Sequence, residues 1–443
     1  MISVNPDRCR KALKVVSMNS LLSRRKFFEA VSRFFLVPLL LVLLCYCSQA
    51  NDWPQFRGPT GDGISPASHV PFEWSVDHNV VWKQPIPGTG WSSPVLSRGR
   101  LYLTSAVSAE TGSVSLRALC VDASTGQIIW DVEVFQPTPS ATRQMHSKNS
   151  LASPTPLVTA DRLFVHFGHM GTAALDLNGN VLWRQNSLTY QPVHGNGGSP
   201  AMVDDLIVFS CDGGQDPFLA ALDQSTGEVR WRQPRNVSVA KTFSFSTPTV
   251  IQLGGQKQIV SVGSGIVGSY DPRDGREIWR VTFPEGYSVV PRPVWANNLL
   301  FLSTGYDRPQ ILAIDPRGAD DDVTSTHVRW SHEKAAPSTP SMLAVENLLF
   351  FVSDHGVASC VDASTGEPLW TKRLGGDFSA SPVFAEGRLY FQNEAGVTYV
   401  VQAAPTFQLL ATNDLQERTL ASPAITDGAI FLRSESHLWR IGE

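Results

Sequence analysis

Cys120-Val121-Asp122-Ala123-Ser124-Thr125-Gly126, followed at Trp130 by an indole, is the stretch that decides the fold of this chain. An apolar pair, Asp, a turn ending in Gly and a Trp about four residues on return as Leu175-Asp176-Leu177-Asn178-Gly179 with Trp183 and as Leu222-Asp223-Gln224-Ser225-Thr226-Gly227 with Trp231. They return again as Tyr270-Asp271-Pro272-Arg273-Asp274-Gly275 with Trp279 and as Cys360-Val361-Asp362-Ala363-Ser364-Thr365-Gly366 with Trp370. Ile314-Asp315-Pro316-Arg317-Gly318 is a variant in which Asp320-Asp321-Asp322 delays the indole to Trp330. A seventh copy keeps only Val400-Val401-Gln402, and an eighth compresses to His437-Leu438-Trp439. Asp before a tight turn accepts hydrogen bonds from N–H groups two or three residues on, and Gly closes the hairpin with a positive φ.

Between these turns lies a second signature, Ser-Pro or Thr-Pro and an apolar pair, at Pro94, Pro154, Pro200, Pro248, Pro293, Pro340, Pro382 and Pro423, with intervals of 41 to 60 residues. Each unit reads as four short alternating strands, A to D, as in Arg100-Leu101-Tyr102-Leu103 and Leu206-Ile207-Val208-Phe209. Four strands in roughly 45 residues is the size of a propeller blade, so the expected fold is an all-β, eight-bladed propeller. The Trp falls on the outermost strand, where it can fill the gap to the next blade. The eighth unit runs out after its third strand at Arg440, while Val80-Val81-Trp82-Lys83-Gln84 looks like a fourth strand without a unit. A strand at 80–86 joining the last blade would close the ring and leave no sheet edge exposed.

With 42% apolar residues, 34 Gly and 30 Pro, the chain is a folded, turn-rich protein. Residues 1–50 stand apart: Ser23-Arg24-Arg25-Lys26-Phe27-Phe28 precedes an apolar run from Phe34 to Cys47, the pattern of a twin-arginine export signal, and Ser48-Gln49-Ala50 suits cleavage before Asn51. The run falls short of the ~20 apolar residues that span a bilayer. Lipidation at Cys45 or Cys47 would want a small preceding residue, and Leu44 and Tyr46 stand there. The expected organisation is therefore a cleaved signal at 1–50, a leading segment at 51–79 and the propeller at 80–443. Cleavage removes eight of 36 basic and two of 40 acidic residues, leaving a net charge near −10, which speaks against nucleic acid as a partner. Membrane contact is expected only through the signal segment, if uncleaved or lipidated. Cys120, Cys211 and Cys360 are too few and too scattered for a disulfide framework.

The Asp-x-x-Thr-Gly-x-x-x-Trp turns after Ser-Pro strands resemble the pyrroloquinoline-quinone-like (PQQ-like) repeat family, which includes quinoprotein dehydrogenases and BamB-type outer-membrane assembly factors. Asp52-Trp53-Pro54-Gln55-Phe56-Arg57-Gly58-Pro59 resembles the opening segment of secreted members. The resemblance runs from about residue 52 to 443 and carries the fold, not an activity. It implies that quinone-holding members show an adjacent Cys-Cys pair, carboxylate and amide calcium ligands and a Trp floor. No Cys-Cys occurs in this chain. Neither quinone nor metal is the expected cofactor, and PQQ with calcium, through Asp307, Asp354 or Asp212, is the alternative.

The repeated Asp122, Asp176, Asp223, Asp271, Asp315 and Asp362, with Gly126, Gly227 and Gly366, read as turn formers, and Trp130, Trp183, Trp231, Trp279 and Trp370 as blade docking. Sites are built on long loops, here the D-to-A and B-to-C connections opposite the Asp turns. The candidate binding rim is Arg143, His146, Lys148, His194, Asn196, Asp212, Arg292, Tyr306, Asp307, Arg308, Asp354 and His355. His166 and His169 share a strand end but lack a third metal ligand. No nucleophile elbow occurs, and Gly195-Asn196-Gly197-Gly198 precedes a strand rather than opening a helix, so no catalytic residue is assigned. The expected function is a non-catalytic, BamB-like scaffold in the periplasm or cell envelope, binding a protein or envelope polymer. The alternatives are a PQQ-dependent dehydrogenase of alcohols or sugars, and a glycan-binding propeller with Trp91, Tyr190, Tyr287 and Tyr306 as stacking faces.

Overall fold

The computed structural model describes residues 52–110, 112–142 and 145–442. The export signal expected at 1–50 lies outside them. Eight sheets with antiparallel strands A to D follow one another along the chain and meet through seven hydrophobic clusters, one of which joins blades seven, eight and one together. In blade one the strands are Val95–Ser97, Arg100–Ser108, Val114–Asp122 and Ile128–Phe135, and the other blades repeat this order. Central strands such as Leu206–Cys211 are buried along their whole length because both faces are covered by neighbouring blades. Blade eight takes its outer strand from the front of the chain: Val80–Pro85 pairs antiparallel with His437–Gly442, from Val80 opposite Ile441 to Pro85 opposite His437.

Register corrects two of the eight prolines. Pro94, Pro200, Pro248, Pro293, Pro382 and Pro423 immediately precede strand A, but in blades two and six strand A begins at Leu157 and Leu343, so the equivalent residues are Pro156 and Met342. In blade two Pro154 and Pro156 stand two residues apart, and in blade six Pro340 lies two residues before a position that carries no proline, which disguises the shift in each. The residue before this position is the innermost of each blade: Ser93, Thr155, Ser199, Thr247, Arg292, Ser341, Ser381 and Ser422. Its backbone N–H donates to the hydroxyl oxygen of the next blade at 2.9–3.1 Å, from Ser93 to Thr155 and so around to Ser422 and back to Ser93. Arg292 has no hydroxyl, and there the circle is bridged instead by Thr249, whose hydroxyl donates to Pro293 O at 2.7 Å.

The Asp turns behave as their chemistry dictates. Asp122 Oδ1 accepts from the N–H groups of Ser124 and Thr125, and Asp223 and Asp362 do the same. Each docking indole reaches into the turn of the following blade, its Nε1–H donating to a carbonyl there: Trp82 to Ala123, Trp130 to Leu177, Trp183 to Gln224, Trp231 to Pro272, Trp330 to Ala363 and Trp370 to Ala404, at 2.9–3.2 Å. A Cβ on the turn glycine would strike the ring, at 2.7 Å for Gly126 against Trp82 and 2.5 Å for Gly227 against Trp183, so glycine serves both the φ of +76° and +75° and the close approach.

Two interfaces depart from this rule. Trp279 turns into its own sheet and donates to Gln258 Oε1 at 3.1 Å. Its place is taken by the acidic insertion, where Asp321–Asp322 adds a fifth, parallel strand to blade four and Val323 joins Trp279 in the core. Blade seven carries Ala411 at the indole position, opposite Val400. The missing ring comes from the leading segment: Trp74 stacks on Tyr390, 6.4 Å between centroids, as Trp130 sits against Tyr102 in blade one at 6.0 Å. Trp439 lies on strand C, and Trp82 on the closing strand docks blade eight.

Candidate functional site

The leading segment stops the axial channel at the end bearing the Asp turns. Asp52 accepts from Ser97 Oγ and Arg98 N at the foot of strand A, and Trp53 pairs with Leu96. The buried Arg57 binds the carbonyls of Asp62, Met342 and Pro382, and Arg292 donates to Phe56 O at 2.7 Å. Above this plug, on the face of the D-to-A and B-to-C loops, opens a funnel of about 720 Å³. Its floor is the circle of hydroxyls, Ser93, Thr155, Ser199, Thr247, Ser341, Ser381 and Ser422, with Phe56 at the centre.

One wall is aromatic. His146 and His194 meet edge to face at 5.4 Å, His194 meets Phe243 at 5.2 Å, Phe243 meets Tyr287 at 5.4 Å and Tyr287 meets Tyr306 at 6.3 Å, an arc from blade one to blade five. Trp91 stands across from it beneath the Arg418 guanidinium, 5.3 Å from the ring centroid. The other wall is polar. Asp354 is caged by the Ser338 and Thr339 N–H groups at 2.7 and 3.2 Å and by the Thr339 hydroxyl at 2.6 Å. Tyr306 donates to it at 3.5 Å, and burial, with Asp354 alongside, pushes the Tyr306 phenol upward. Lys148 crosses from the loop after blade one to Glu394 of blade seven, 2.8 Å away; burial opposes its charge, and Glu394 more than restores it.

Of the candidate rim residues, His146, Lys148, His194, Tyr306, Asp307, Asp354 and His355 line this one funnel. Arg143 lies outside the described residues. The remaining four stand elsewhere. Asn196 is buried behind the wall, taking the Tyr190 hydroxyl at 2.9 Å and facing His169 Nδ1 at 3.0 Å. Asp212 is sealed inside blade three in a 2.6 Å ion pair with Arg235, both side chains at or below 1% exposure. Arg292 is below the floor rather than at the mouth, because its position belongs to the innermost circle. Arg308 points outward to Glu285 at 3.3 Å. The aspartates considered for calcium therefore do not converge: Asp212 is buried, Asp307 is paired at 3.6 Å with Lys241, and Asp354 is saturated by donors. Among the described residues no three His, Cys, Asp or Glu side chains come together as metal ligands.

Sequence reasoning missed Phe56, Phe245 and the hydroxyl floor, and Glu394 as the partner of Lys148. The floor had a visible signal, since a hydroxyl recurs at the same repeat position in seven units; Phe56 had none, because its segment belongs to no blade.

No curated protein matches the chain. Among solved structures, BamB from Moraxella catarrhalis superposes with a TM-score of 0.56 at 13% identity, covering 81% of this chain and 96% of that one. The computationally designed Ika8 protein gives 0.55 at 13%, covering 81% and 99%. Quinohemoprotein alcohol dehydrogenase from Comamonas testosteroni gives 0.44 at 14%, covering 88% and 80%. The family model described as outer membrane protein assembly factor BamB matches residues 74–234, 214–354 and 319–438. These three overlapping matches take in all eight blades, and the chain belongs to this BamB-like family of PQQ-like repeat propellers.

Proposed function

We propose that the protein is an exported, non-catalytic binding scaffold of the cell envelope that holds a protein or polymer partner across the mouth of the funnel. The observation that carries this reading is the funnel's electrostatics. Among the described residues its charged side chains are already matched, Lys148 with Glu394, Lys241 with Asp307 and Asp354 with the Ser338 and Thr339 donors, and no metal-ligand set comes together there. Family membership supports export to the envelope, and the pattern at residues 23–50 agrees with it.

The test has two arms. Purified mature protein, titrated with PQQ and calcium and supplied with alcohols, sugars and an electron acceptor, is expected to show no turnover and no rise in melting temperature; turnover would overturn the reading. A photo-crosslinker placed at His355 or Asp307 in cells is expected to trap an envelope component that the same probe at Ser225, on the Asp-turn face, does not. Equal trapping from both faces would also overturn it.

A further inference from the structure

The funnel says what kind of molecule it fits. Each floor hydroxyl accepts an N–H from the blade before it, and an accepting hydroxyl still has its own proton to give. Ser381 gives its proton to Ser341 at 3.0 Å. For Ser93, Thr155, Ser199, Thr247 and Ser422 the described residues supply no acceptor, so the floor presents a ring of donors to whatever lies on it. The walls supply the complement: the Asp307 carboxylate, and the ring faces and edges of Trp91, Tyr287, Tyr306 and Phe56.

Charge narrows the choice. Lys148, Lys241 and Arg418 each have a carboxylate within 4 Å, at Glu394, Asp307 and Glu435, so an anionic ligand would compete with ion pairs already made. A cation finds Asp354 already holding N–H and O–H donors. What remains is a neutral molecule with many hydroxyl donors and acceptors and flat apolar faces that rest on aromatic rings.

We propose that the funnel binds a neutral carbohydrate, the end or a short loop of an uncharged polysaccharide, with sugar oxygens on the hydroxyl floor and sugar faces against Trp91, Tyr287 and Tyr306. The proposal rests on the scaffold reading and names its partner as a polymer. A volume of about 720 Å³ lies within the range of ~300–1,000 Å³ that small-ligand sites occupy.

The experiment is calorimetric titration of the mature protein with uncharged hexasaccharides of glucose, mannose, xylose and galactose, alongside a charged uronic-acid oligomer. Saturable one-to-one binding of at least one neutral sugar, little changed by raising the salt, is expected. Trp91→Ala and Tyr287→Ala should each weaken it at least tenfold with the melting temperature retained; should Trp91→Ala melt early, Trp91→Phe takes its place, with a smaller loss. Silence across the neutral panel, binding of the uronic oligomer alone, or binding indifferent to both ring substitutions would overturn the proposal. A protein trapped at the funnel mouth together with a silent panel would overturn it while leaving the scaffold reading intact; turnover with quinone would remove both.

Discussion

Glu417 shows how much one carboxylate can be asked to hold. It accepts from His437 at 2.9 Å, from the Ser436 N–H at 2.9 Å and from Ser434 Oγ at 2.8 Å, and pairs with Lys83 of the closing strand at 3.2 Å. Burial pushes its pKa upward, but these donors outweigh it and hold the group at about 2, below the ordinary 4.5. A carboxyl depressed in the folded state stabilises above its unfolded pKa and loses that contribution as the pH falls. Glu417→Gln should therefore melt below the parent protein at pH 7, and the gap should narrow from about pH 4.5 and vanish near pH 2. A gap that stays constant across a pH-melting series would mean that the charge is not what holds blade eight. Asp122, Asp176, Asp223 and Asp362 are likewise held low by hydrogen bonds from their own turns, as Asp122 is by Ser124 and Thr125.

At the scale of elements, all but one of the joints between blades are filled by an indole that reaches across from outside the blade it completes. Trp130 fills the joint to blade two, and truncating such an indole costs roughly 3–5 kcal/mol. Trp74 belongs to no blade, yet it stacks on Tyr390 over the space that Ala411 leaves. Trp74→Ala should accordingly destabilise about as much as Trp130→Ala in chemical denaturation, far more than an indole in a loose leader would. Adding Ala411→Trp should restore part of the loss, and no recovery would show that the two sites are not interchangeable. The joint between blades four and five obeys a third solution. Gly318, the only glycine of an Asp turn with no atom within 4 Å of an added Cβ, tolerates its freedom because no indole reaches it.

Over the whole molecule the ring depends on Val80–Pro85, an outer strand paired on one side only. Successive amides of a strand point to opposite sides, so one proline of Lys83→Pro/Gln84→Pro removes a ladder hydrogen bond. This variant should melt early and form oligomers visible by light scattering, since it bares the edge of His437–Gly442. A monomer with the parent's melting temperature would mean that closure lies elsewhere. The blade count and the closing strand are legible in the sequence because Asp, Gly and Trp recur wherever the same turn and joint recur. The indole of Trp74 and the Phe56 plug are not, because their partners, Tyr390 and Arg292, lie more than 200 residues away and no repeat announces them. The funnel is half legible. His146, Lys148, Tyr306 and Asp354 are found from loop position, whereas Asp212 and Arg292 mislead because a polar residue at a strand end can face inward when a buried partner or a carbonyl awaits it.

The pairing of residues 80–85 with 437–442 also sets a timetable. The clasp joins two strands of the propeller about 350 positions apart, and the entropy of bringing such distant segments together is met in a single late step. The seven intervening sheets can form as their strands leave the ribosome, but Trp82 has no counterpart until Arg440 arrives. Until that moment the molecule is an open arc with an unfinished blade at one end, and that is the interval in which a folding helper or a protease would find it.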